Sequence, residues 1–265
     1  MKITFIGAGN MAEAIVAGII KQNVVEAADV CVTDINEERL DHFTEQYGVG
    51  RTTDNAAAVA QADVIVLSVK PQIFPDVWPE IERALKSDAL VISIMAGIPS
   101  AKIANGKPIR VVRVMPNTPA LVGEGAAGIA AGEFAVEADV EIACNLLGAV
   151  GVAVVVDEKE IDAVTALSGS GPAYVFYLLE SMLEAAEQMG LEKGVSRELA
   201  LSTVIGAAKL MRESGEEAAG LRAKVTSKGG TTHAAISTLE EHGVKDAVVA
   251  ALKAAQTRSI ELANG

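Results

Sequence analysis

The chain has 265 residues, half of them apolar, which is enough for two modest domains or one large one and for a sizeable core. A net charge of −13 argues against partners rich in phosphate, so neither nucleic acid nor an acidic membrane surface is expected to bind. No apolar run is long enough to span a bilayer and a predicted strand opens the chain, so we expect a cytoplasmic protein without a leader.

The first predicted strand, Lys2–Ile6, runs directly into the glycine-rich segment GAGNMA at residues 7–12, and a helix follows through Ile20. A GxGxxA turn between a strand and a helix is typical of dinucleotide-binding folds. Gly7 permits the tight turn, and Gly9 lets the backbone approach a pyrophosphate. The alternative is a glycine-rich turn that binds no ligand.

The second predicted strand, Asp29–Asp34, ends in an acid about 20 residues beyond the glycines, where it can accept hydrogen bonds from the adenosine ribose. An acid at this point also repels a 2′-phosphate. Taken alone, Asp34 therefore favours NADH over NADPH. Arg39 is close by, but we expect it on the exposed face of the next helix, Asn36–Tyr47.

Strands and helices then alternate, which predicts a doubly wound sheet and a Rossmann-type dinucleotide-binding domain over residues 1–157. The strands are predicted at Asp63–Val69, Leu90–Ile94, Ile109–Met115, Gly125–Ala131 and Gly151–Val156, and helices at Asp54–Ala60, up to about Lys86, and at Val136–Val150. Lys70 and Pro71 follow a strand at its carboxyl end, where ligands bind in open α/β sheets.

Beyond Asp157 the strand pattern disappears, and residues 158–265 are predicted to form an all-helical domain. Pro172 lies in the first turn of one helix, Ser196 is the expected cap of the next, and the last helix starts near Val244. These helices are apolar on most sides, and the core that they can form with one another is too small to bury all of that apolar surface. We therefore predict that they pack against a second copy in a homodimer.

The segment Leu221–Glu240, LRAKVTSKGGTTHAAISTLE, concentrates glycine and hydroxyl residues just before a helix. Thr231 or Thr232 is predicted to cap that helix. The free N–H groups of its first turn would then lie beside the hydroxyl groups of this loop: Thr226, Ser227, Thr231 and Thr232. Such an arrangement can bind a small anion, and a carboxylate is the anion that we expect. An ordinary capped loop without a ligand is the alternative.

Few side chains in the chain suggest other chemistry. The two cysteines, Cys31 and Cys144, lie in apolar segments without a CxxC partner, so we expect buried thiols and no disulfide or metal site. Of the three histidines, only His233 is adjacent to the candidate loop, and none has an obvious carboxylate partner in sequence. No metal-ligand or Ser/His/Asp spacing is present.

Five motifs appear in order along the chain: GAGNM at 7–11, VKP at 69–71, MPNTP at 115–119, SGSGPAY at 168–174 and VTSKGGTT at 225–232. Together they resemble the pyrroline-5-carboxylate reductase family, in which VTS-x-GGTT precedes a helix. One departure is Lys228, where many members have proline; it adds a cation near the proposed carboxylate site and leaves the resemblance intact.

The resemblance implies reduction of the cyclic imine 1-pyrroline-5-carboxylate to L-proline, the last step of proline biosynthesis, with NADPH or NADH as cofactor. It also implies dimerisation through the helical domain, and larger rings of dimers occur in the family. Because a protonated imine is already a strong electrophile, positioning of the two reacting carbons can supply most of the acceleration.

The residues that would perform these tasks follow from the matching motifs. The expected cofactor contacts are Ile6, Gly7, Ala8, Gly9, Asn10, Met11, Asp34, Asn55, Val69, Lys70, Pro71 and Ala96. Ser227, the backbone N–H groups of Gly230 and Thr231, and Thr232 are expected to bind the substrate carboxylate. Ser227 and Thr232 are also the catalytic candidates, with the Thr232 hydroxyl near the imine nitrogen to donate or relay a proton. Loop or capping roles remain the alternatives for Lys70 and Asn55.

Two rival functions stay open at this point. One is another reductase of similar architecture, acting on a different imine or on a β-hydroxyacid; the latter would use a lysine base such as Lys209, Lys224 or Lys228. The other is a non-enzymatic protein that senses NAD(P). The sequence alone leaves undecided the NADPH or NADH preference, the oligomer size, the proton donor, feedback by proline, and which protomer completes each site.

Overall fold

A computed structural model describes residues 1–264 and divides them into two compact units. The first unit contains residues 1–172 and the C-terminal segment that starts at Ala255; the second contains residues 173–254. The predicted division into domains 1–157 and 158–265 stays a prediction, and its last residue, Gly265, lies outside the described part of the chain.

One sheet organises the first unit. Its strands are β1 (Ile3–Ile6), β2 (Val30–Thr33), β3 (Gly50–Thr52), β4 (Val64–Leu67), β5 (Leu90–Ser93), β6 (Arg110–Met115), β7 (Gly125–Ala131) and β8 (Gly151–Val155). Within the described residues the order is β3-β2-β1-β4-β5-β6-β7-β8. Neighbouring strands are parallel except β7, which runs antiparallel to β6. The winding direction reverses between β1 and β4, which creates a crevice at the carboxyl ends of these strands.

The first unit also contains α1 (Asn10–Lys21), α2 (Glu37–Tyr47), α3 (Asn55–Val59), α4 (Phe74–Ala84), α5 (Ser100–Ala104), α6 (Glu137–Gly148) and α7 (Ile161–Val164). The remaining helices are α8 (Gly171–Gln188), α9 (Lys193–Ser214), α10 (Ala218–Lys224), α11 (Thr231–Glu241) and α12 (Val244–Asn264). Single 3₁₀ turns lie at Ala27–Asp29, Thr118–Val122 and Glu158–Glu160, and a π turn lies at Thr165–Gly169.

The central strands are buried on both faces because helices cover the sheet from both sides. Residues of β1 alternate between two apolar clusters: Phe5 packs in the cluster that contains α1, α2 and α6, and Ile6 packs in the one that contains α4 and α5. Parallel strands covered in this way are nearly continuous apolar runs, which is what β4 and β5 show. The core therefore fixes the strand ends at which a ligand can bind.

The predicted fold class, a Rossmann-type doubly wound α/β sheet followed by a helical region, is confirmed. The short edge strand β3 and the helix α5 were not predicted, because segments of three and five residues carry too little periodicity. The expected Ser196 cap is wrong. Helix α9 begins three residues earlier, at Lys193, and the Glu192 side chain accepts from the Val195 N–H at 3.0 Å.

The helical unit buries little of its own surface. Of residues 173–254, all of them described, only Ala186, Ser196 and Ala200 are buried. Large apolar side chains that are roughly half exposed instead occur along its helices: Phe176, Leu178, Leu199, Ile205, Leu210 and Val248. Within residues 1–264 no helix combines the length and apolar character needed to cross a membrane.

Candidate active site

The glycine-rich turn after β1 has the backbone geometry that phosphate binding needs. Gly7 has φ = +104°, and a Cβ at this position would lie 3.0 Å from backbone atoms of Ser68, so only glycine fits without strain. At Gly9, by contrast, no described heavy atom lies within 4 Å of where a Cβ would be. The turn is therefore closed on the sheet side and open on the side from which a ligand would approach.

Helix α1 starts directly behind this turn. Gly9 is its N-cap residue, and among the described residues no side chain caps the helix. Its first N–H groups, including those of Asn10 and Met11, are available to an anion and carry the positive end of the helix dipole. A pyrophosphate fits this arrangement of open space and unsatisfied donors.

A cavity of about 290 Å³ opens at the carboxyl ends of β1, β2 and β4. Seven of the predicted cofactor residues line it: Ile6, Gly7, Gly9, Asp34, Asn55, Val69 and Lys70. The lining also contains residues that the sequence did not indicate, namely Thr33, Ile35, Thr53, Ser68, Ile73 and Val77. Ala8, Asn10 and Met11 belong to the adjoining turn and helix. The structure thus gathers seven of the twelve residues predicted to contact the cofactor around one cavity, and their contact with a nucleotide stays a prediction.

Asn55 is fixed from two directions inside this cavity. Its Oδ1 accepts from the Thr33 hydroxyl and its Nδ2 donates to Glu80 Oε1, both at 2.6 Å. A capping role for Asn55 is excluded, because Asp54 is the N-cap residue of α3 and accepts from the Ala57 N–H at 2.9 Å. Asn55 therefore presents a rigid polar group to the cavity, as a cofactor contact requires.

Two further residues that were predicted to contact the cofactor lie outside the lining of the cavity. Pro71 follows Lys70 at the end of β4, while Ala96 is exposed beyond the end of β5, and neither lines the cavity. In the MPNTP segment, Asn117 is buried; it accepts from the Ala126 N–H at 2.8 Å and donates to the Ser168 carbonyl at 3.0 Å. Contacts of Pro71 and Ala96 with the cofactor stay predictions.

The second candidate region is the loop before α11, in the helical unit. The helix begins at Thr231 with Gly230 as its N-cap residue, and no side chain of the described residues caps it. The expectation that Thr231 or Thr232 caps the helix is therefore wrong. Because both threonines lie inside the first turn, their side chains and the free N–H groups remain available to a ligand.

Gly230 lies so close to the neighbouring serine that a larger residue would displace the serine hydroxyl. The Gly230 N–H donates to the Ser227 carbonyl at 3.0 Å, and a Cβ on Gly230 would lie 2.6 Å from Ser227 Oγ. Gly229 has φ = +75°, which L-residues rarely adopt. The Thr226 hydroxyl is used within the loop, where it donates to the Arg222 carbonyl at 2.6 Å. This leaves Ser227 Oγ next to the helix N-terminus, in the place predicted for the carboxylate.

The cysteines and His233 are the other chemically reactive side chains that the sequence singled out. Both cysteines are free thiols in the described structure, but they are only partly buried, so the expectation of buried thiols is wrong. Partial burial still raises the pKa of each thiol, which disfavours a reactive thiolate. His233 lines a surface groove of α10 and α11 together with Arg222 and Glu240. Within residues 1–264 no group of three His, Cys, Asp or Glu residues could hold a metal ion.

Comparisons with known proteins agree with this geometry. The family model for pyrroline-5-carboxylate reductase dimerisation matches residues 158–262, and a model described as NADP oxidoreductase, coenzyme F420-dependent, matches residues 2–97. The pyrroline-5-carboxylate reductase of Pseudomonas aeruginosa is 46% identical over 265 residues, which cover 99% of this chain and 97% of that protein.

Two solved structures extend the similarity to three dimensions. The pyrroline-5-carboxylate reductase of Coxiella burnetii superposes with a TM-score of 0.93 at 42% identity and covers 98% of both chains. The pyrroline carboxylate reductase of Plasmodium falciparum, solved with NADP bound, gives a TM-score of 0.89 at 29% identity over 99% of this chain and 98% of that one.

The dinucleotide turn, the cavity at the strand switch point and these matches define an NAD(P)H-dependent oxidoreductase. Since the relatives align over essentially the whole chain, the protein belongs to the pyrroline-5-carboxylate reductase family.

Proposed function

We propose that this chain reduces 1-pyrroline-5-carboxylate to L-proline, with NADPH or NADH as the hydride donor, in the last step of proline biosynthesis. The observation that carries this proposal is the loop before α11. A free helix N-terminus beside a serine hydroxyl is suited to the substrate carboxylate, and the family match spans the same residues.

The nucleotide half supplies the reductant site. The turn at Gly7 and Gly9 and the start of α1 would hold the pyrophosphate, Asp34 the adenosine ribose, and Asn55 with Lys70 the adjoining wall. When bound there, the reduced nicotinamide supplies the hydride. Cofactor contacts from Ile6, Ala8, Asn10, Met11, Val69, Pro71 and Ala96 are part of this proposal.

The loop residues bind and orient the imine. Ser227 Oγ and the Thr231 N–H group are proposed to hold the carboxylate, while the helix dipole adds favourable electrostatics. The Gly230 N–H, which the sequence also predicted for this role, already donates to the Ser227 carbonyl at 3.0 Å, so that part of the prediction is wrong. This contact fixes the ring, so that the imine carbon can lie at near-attack distance from the donor carbon. The acceleration then comes mainly from orientation.

Thr232 is proposed as the residue that handles the proton. Its hydroxyl lies in the first turn of α11 and is half-buried. When hydride adds to the imine carbon, the C=N π-electron pair moves to nitrogen and nitrogen needs one proton; the Thr232 hydroxyl passes its proton to nitrogen and takes a replacement from water, so that it ends as a neutral hydroxyl. Ser227 assists by keeping the carboxylate away from that hydroxyl.

We propose a homodimer as the working unit and the cytoplasm as its location. Support for the dimer comes from the match to a dimerisation family and from the half-exposed apolar residues of the helical unit. A larger ring of dimers is a further expectation, and sedimentation of the purified protein distinguishes it from a dimer.

Initial rates of NADPH and NADH oxidation with 1-pyrroline-5-carboxylate test the proposed reaction. Turnover with the imine, and none with a β-hydroxyacid or its keto partner, is the expected result. Folded protein that binds NADH or NADPH but turns over neither kind of substrate would support a sensor instead. Turnover of the hydroxyacid alone would point to a lysine base. Lys224 is poorly suited to that role because Glu216 Oε1 binds its amino group at 2.7 Å.

A further inference from the structure

The ribose end of the nucleotide cavity presents a carboxylate with a fixed orientation. Asp34 lines the cavity; its Oδ2 accepts from the Ala8 N–H at 2.8 Å and its Oδ1 from the Asn36 N–H at 2.9 Å. An ionised carboxylate keeps further lone pairs for a hydroxyl donor. The same carboxylate opposes a phosphate group placed on that hydroxyl.

The residues that follow Asp34 provide no compensating positive charge. Ile35 lines the cavity with 96% of its surface exposed. The Oδ1 atom of Asn36 accepts from the Arg39 N–H at 3.2 Å, where it caps α2. The turn from Asp34 to Asn36 thus offers an acid, an aliphatic surface and an amide oxygen that is already used.

Arg39 is the nearest arginine along the chain, and its guanidinium is held elsewhere. Nη2 lies 2.6 Å from Glu13 Oε2, and Nε donates to the Ala8 carbonyl at 3.0 Å. The guanidinium carbon lies 5.4 Å from the centre of the Phe43 ring. Arg39 is therefore not on the exposed face of α2, as the sequence suggested, but packed against the start of α1.

Glu13 is itself firmly held in this arrangement. Its Oε1 lies 2.6 Å from His42 Nε2 and accepts from the Tyr47 hydroxyl at 3.1 Å. Burial opposes ionisation of Glu13, but the hydrogen bonds from Arg39, His42 and Tyr47 outweigh it and lower its pKa. Glu13 is therefore charged at neutral pH and retains Arg39 electrostatically.

Two other cations lie in this region. Arg51 on β3 is 2.8 Å from Asp41 Oδ1 and is thus paired. Lys70 follows β4, which is separated from β2 by β1, so its backbone is about 10 Å from the end of β2 at ordinary strand spacing. Among the described residues, neither of these cations forms an ion pair with Asp34.

We propose that Glu13 is a positioning residue that sets cofactor preference: by retaining Arg39 it leaves Asp34 facing the ribose, and the chain binds NADH in preference to NADPH. This inference deepens the proposed function and rests on it only in requiring that the cavity bind a nicotinamide dinucleotide.

Calorimetric titration of the full-length chain with NADH and with NADPH, in the absence of any imine, tests the preference. NADH is expected to bind at least about tenfold more tightly, since a phosphate beside a fixed carboxylate costs more free energy than one decade of affinity represents. Equal binding, or tighter binding of NADPH, overturns the proposal. Because no substrate is present, this result is independent of whether 1-pyrroline-5-carboxylate is turned over.

Variants then locate the cause of the preference. Arg39→Ala should leave the ratio of the two dissociation constants unchanged; a selective loss of NADPH affinity would mean that Arg39 already binds the phosphate, contrary to the proposal. Glu13→Gln should tighten NADPH binding selectively, and the double variant with Arg39→Ala should lose that gain. Equal changes for both cofactors in Glu13→Gln would reduce Glu13 to a structural residue and overturn its assignment. If Glu13→Gln does not fold, Arg39→Ala still decides whether Arg39 already binds the phosphate, which is the premise on which the Glu13 assignment rests.

Discussion

At the scale of single residues, Thr232 carries the most specific chemical assignment. Thr232→Ala removes the hydroxyl proposed to serve the imine nitrogen, so kcat/KM for 1-pyrroline-5-carboxylate should fall by about 10²-fold or more, while the dissociation constant for the cofactor stays unchanged. Steady-state kinetics and cofactor titration measure the two quantities separately.

Thr238→Ala on the same helix is the matched control, because that hydroxyl is exposed and donates to the Ala234 carbonyl at 3.0 Å. Thr238→Ala should have the same kcat/KM and the same dissociation constant for the cofactor as the unmodified chain. Near-normal kinetics in Thr232→Ala would remove this residue from the mechanism and leave the proton to solvent.

Gly230 tests the carboxylate site. In Gly230→Ala the new methyl group would meet Ser227 Oγ at 2.6 Å and displace the hydroxyl or the loop. Losing a hydrogen bond to a charged group costs about 1.5–3 kcal/mol, so KM for the imine should rise by roughly tenfold or more.

Gly148→Ala, at the end of α6, controls for the change of residue type, since no described atom lies within 4 Å of the added Cβ. An unaltered KM in Gly230→Ala would show that Ser227 does not hold the substrate.

Much of the lining of the candidate nucleotide cavity could be predicted from local sequence, because the turn at Gly7, the acid at Asp34 and the first two residues of the VKP segment each follow a strand. The residues that form the apolar part of the cavity could not be predicted in this way. Ile35, Ile73 and Val77 have the residue type and spacing of ordinary core or surface positions, and only the fold shows that they line the cavity. The contact between Arg39 and Glu13 spans 26 residues and leaves no sequence pattern either.

At the scale of elements, an ion pair with a buried arginine connects the turn after β8 to β6. Arg113 on β6 is 4% exposed, and its Nη1 lies 3.6 Å from Glu158 Oε1. Glu158 also accepts from the Ser100 N–H at 2.7 Å and from the Ser100 hydroxyl. One carboxylate thus interacts with groups from two other elements, although Arg113 Nε itself is buried without a hydrogen-bond partner among the described residues.

Glu158→Ala should therefore destabilise the protein by about 3–5 kcal/mol, because it leaves a buried guanidinium and two donors unpaired. Chemical unfolding monitored by circular dichroism measures the change in unfolding free energy. The adjacent variant Lys159→Ala is the control: its partner Asp157 is exposed, so the unfolding midpoint should not move. Equal midpoints in both variants would mean that Arg113 finds another partner or that water reaches it.

The positions of the long strands and helices could be predicted from the periodicity of apolar residues, and those of the short elements could not. Strands such as β4 and β5 are continuous apolar runs, so their positions were predicted to within two residues. The three-residue strand β3 and the Glu192 cap depend on tertiary contacts and on side-chain geometry, which a pattern of residue types does not specify.

At the scale of the whole molecule, the helical unit requires a partner surface. Phe176 on α8 is 59% exposed. If a second copy covers it, Phe176→Asp should weaken self-association by roughly 2 kcal/mol or more, which raises the dimer dissociation constant about 30-fold. Sedimentation velocity over a concentration series measures the shift.

Val24→Asp, which places the same charge on a 38% exposed residue of the first unit, should sediment like the unmodified protein. Unchanged association in Phe176→Asp would place the dimer interface on another face.

The most direct test of the proposed reaction follows the hydride itself. The full-length chain is incubated with 1-pyrroline-5-carboxylate and with NADH or NADPH deuterated at nicotinamide C4, and the product is analysed by mass spectrometry and chiral chromatography. L-proline carrying one deuterium on the former imine carbon is the predicted result. No proline, or proline whose new hydrogen comes from water, would contradict direct hydride transfer to this imine.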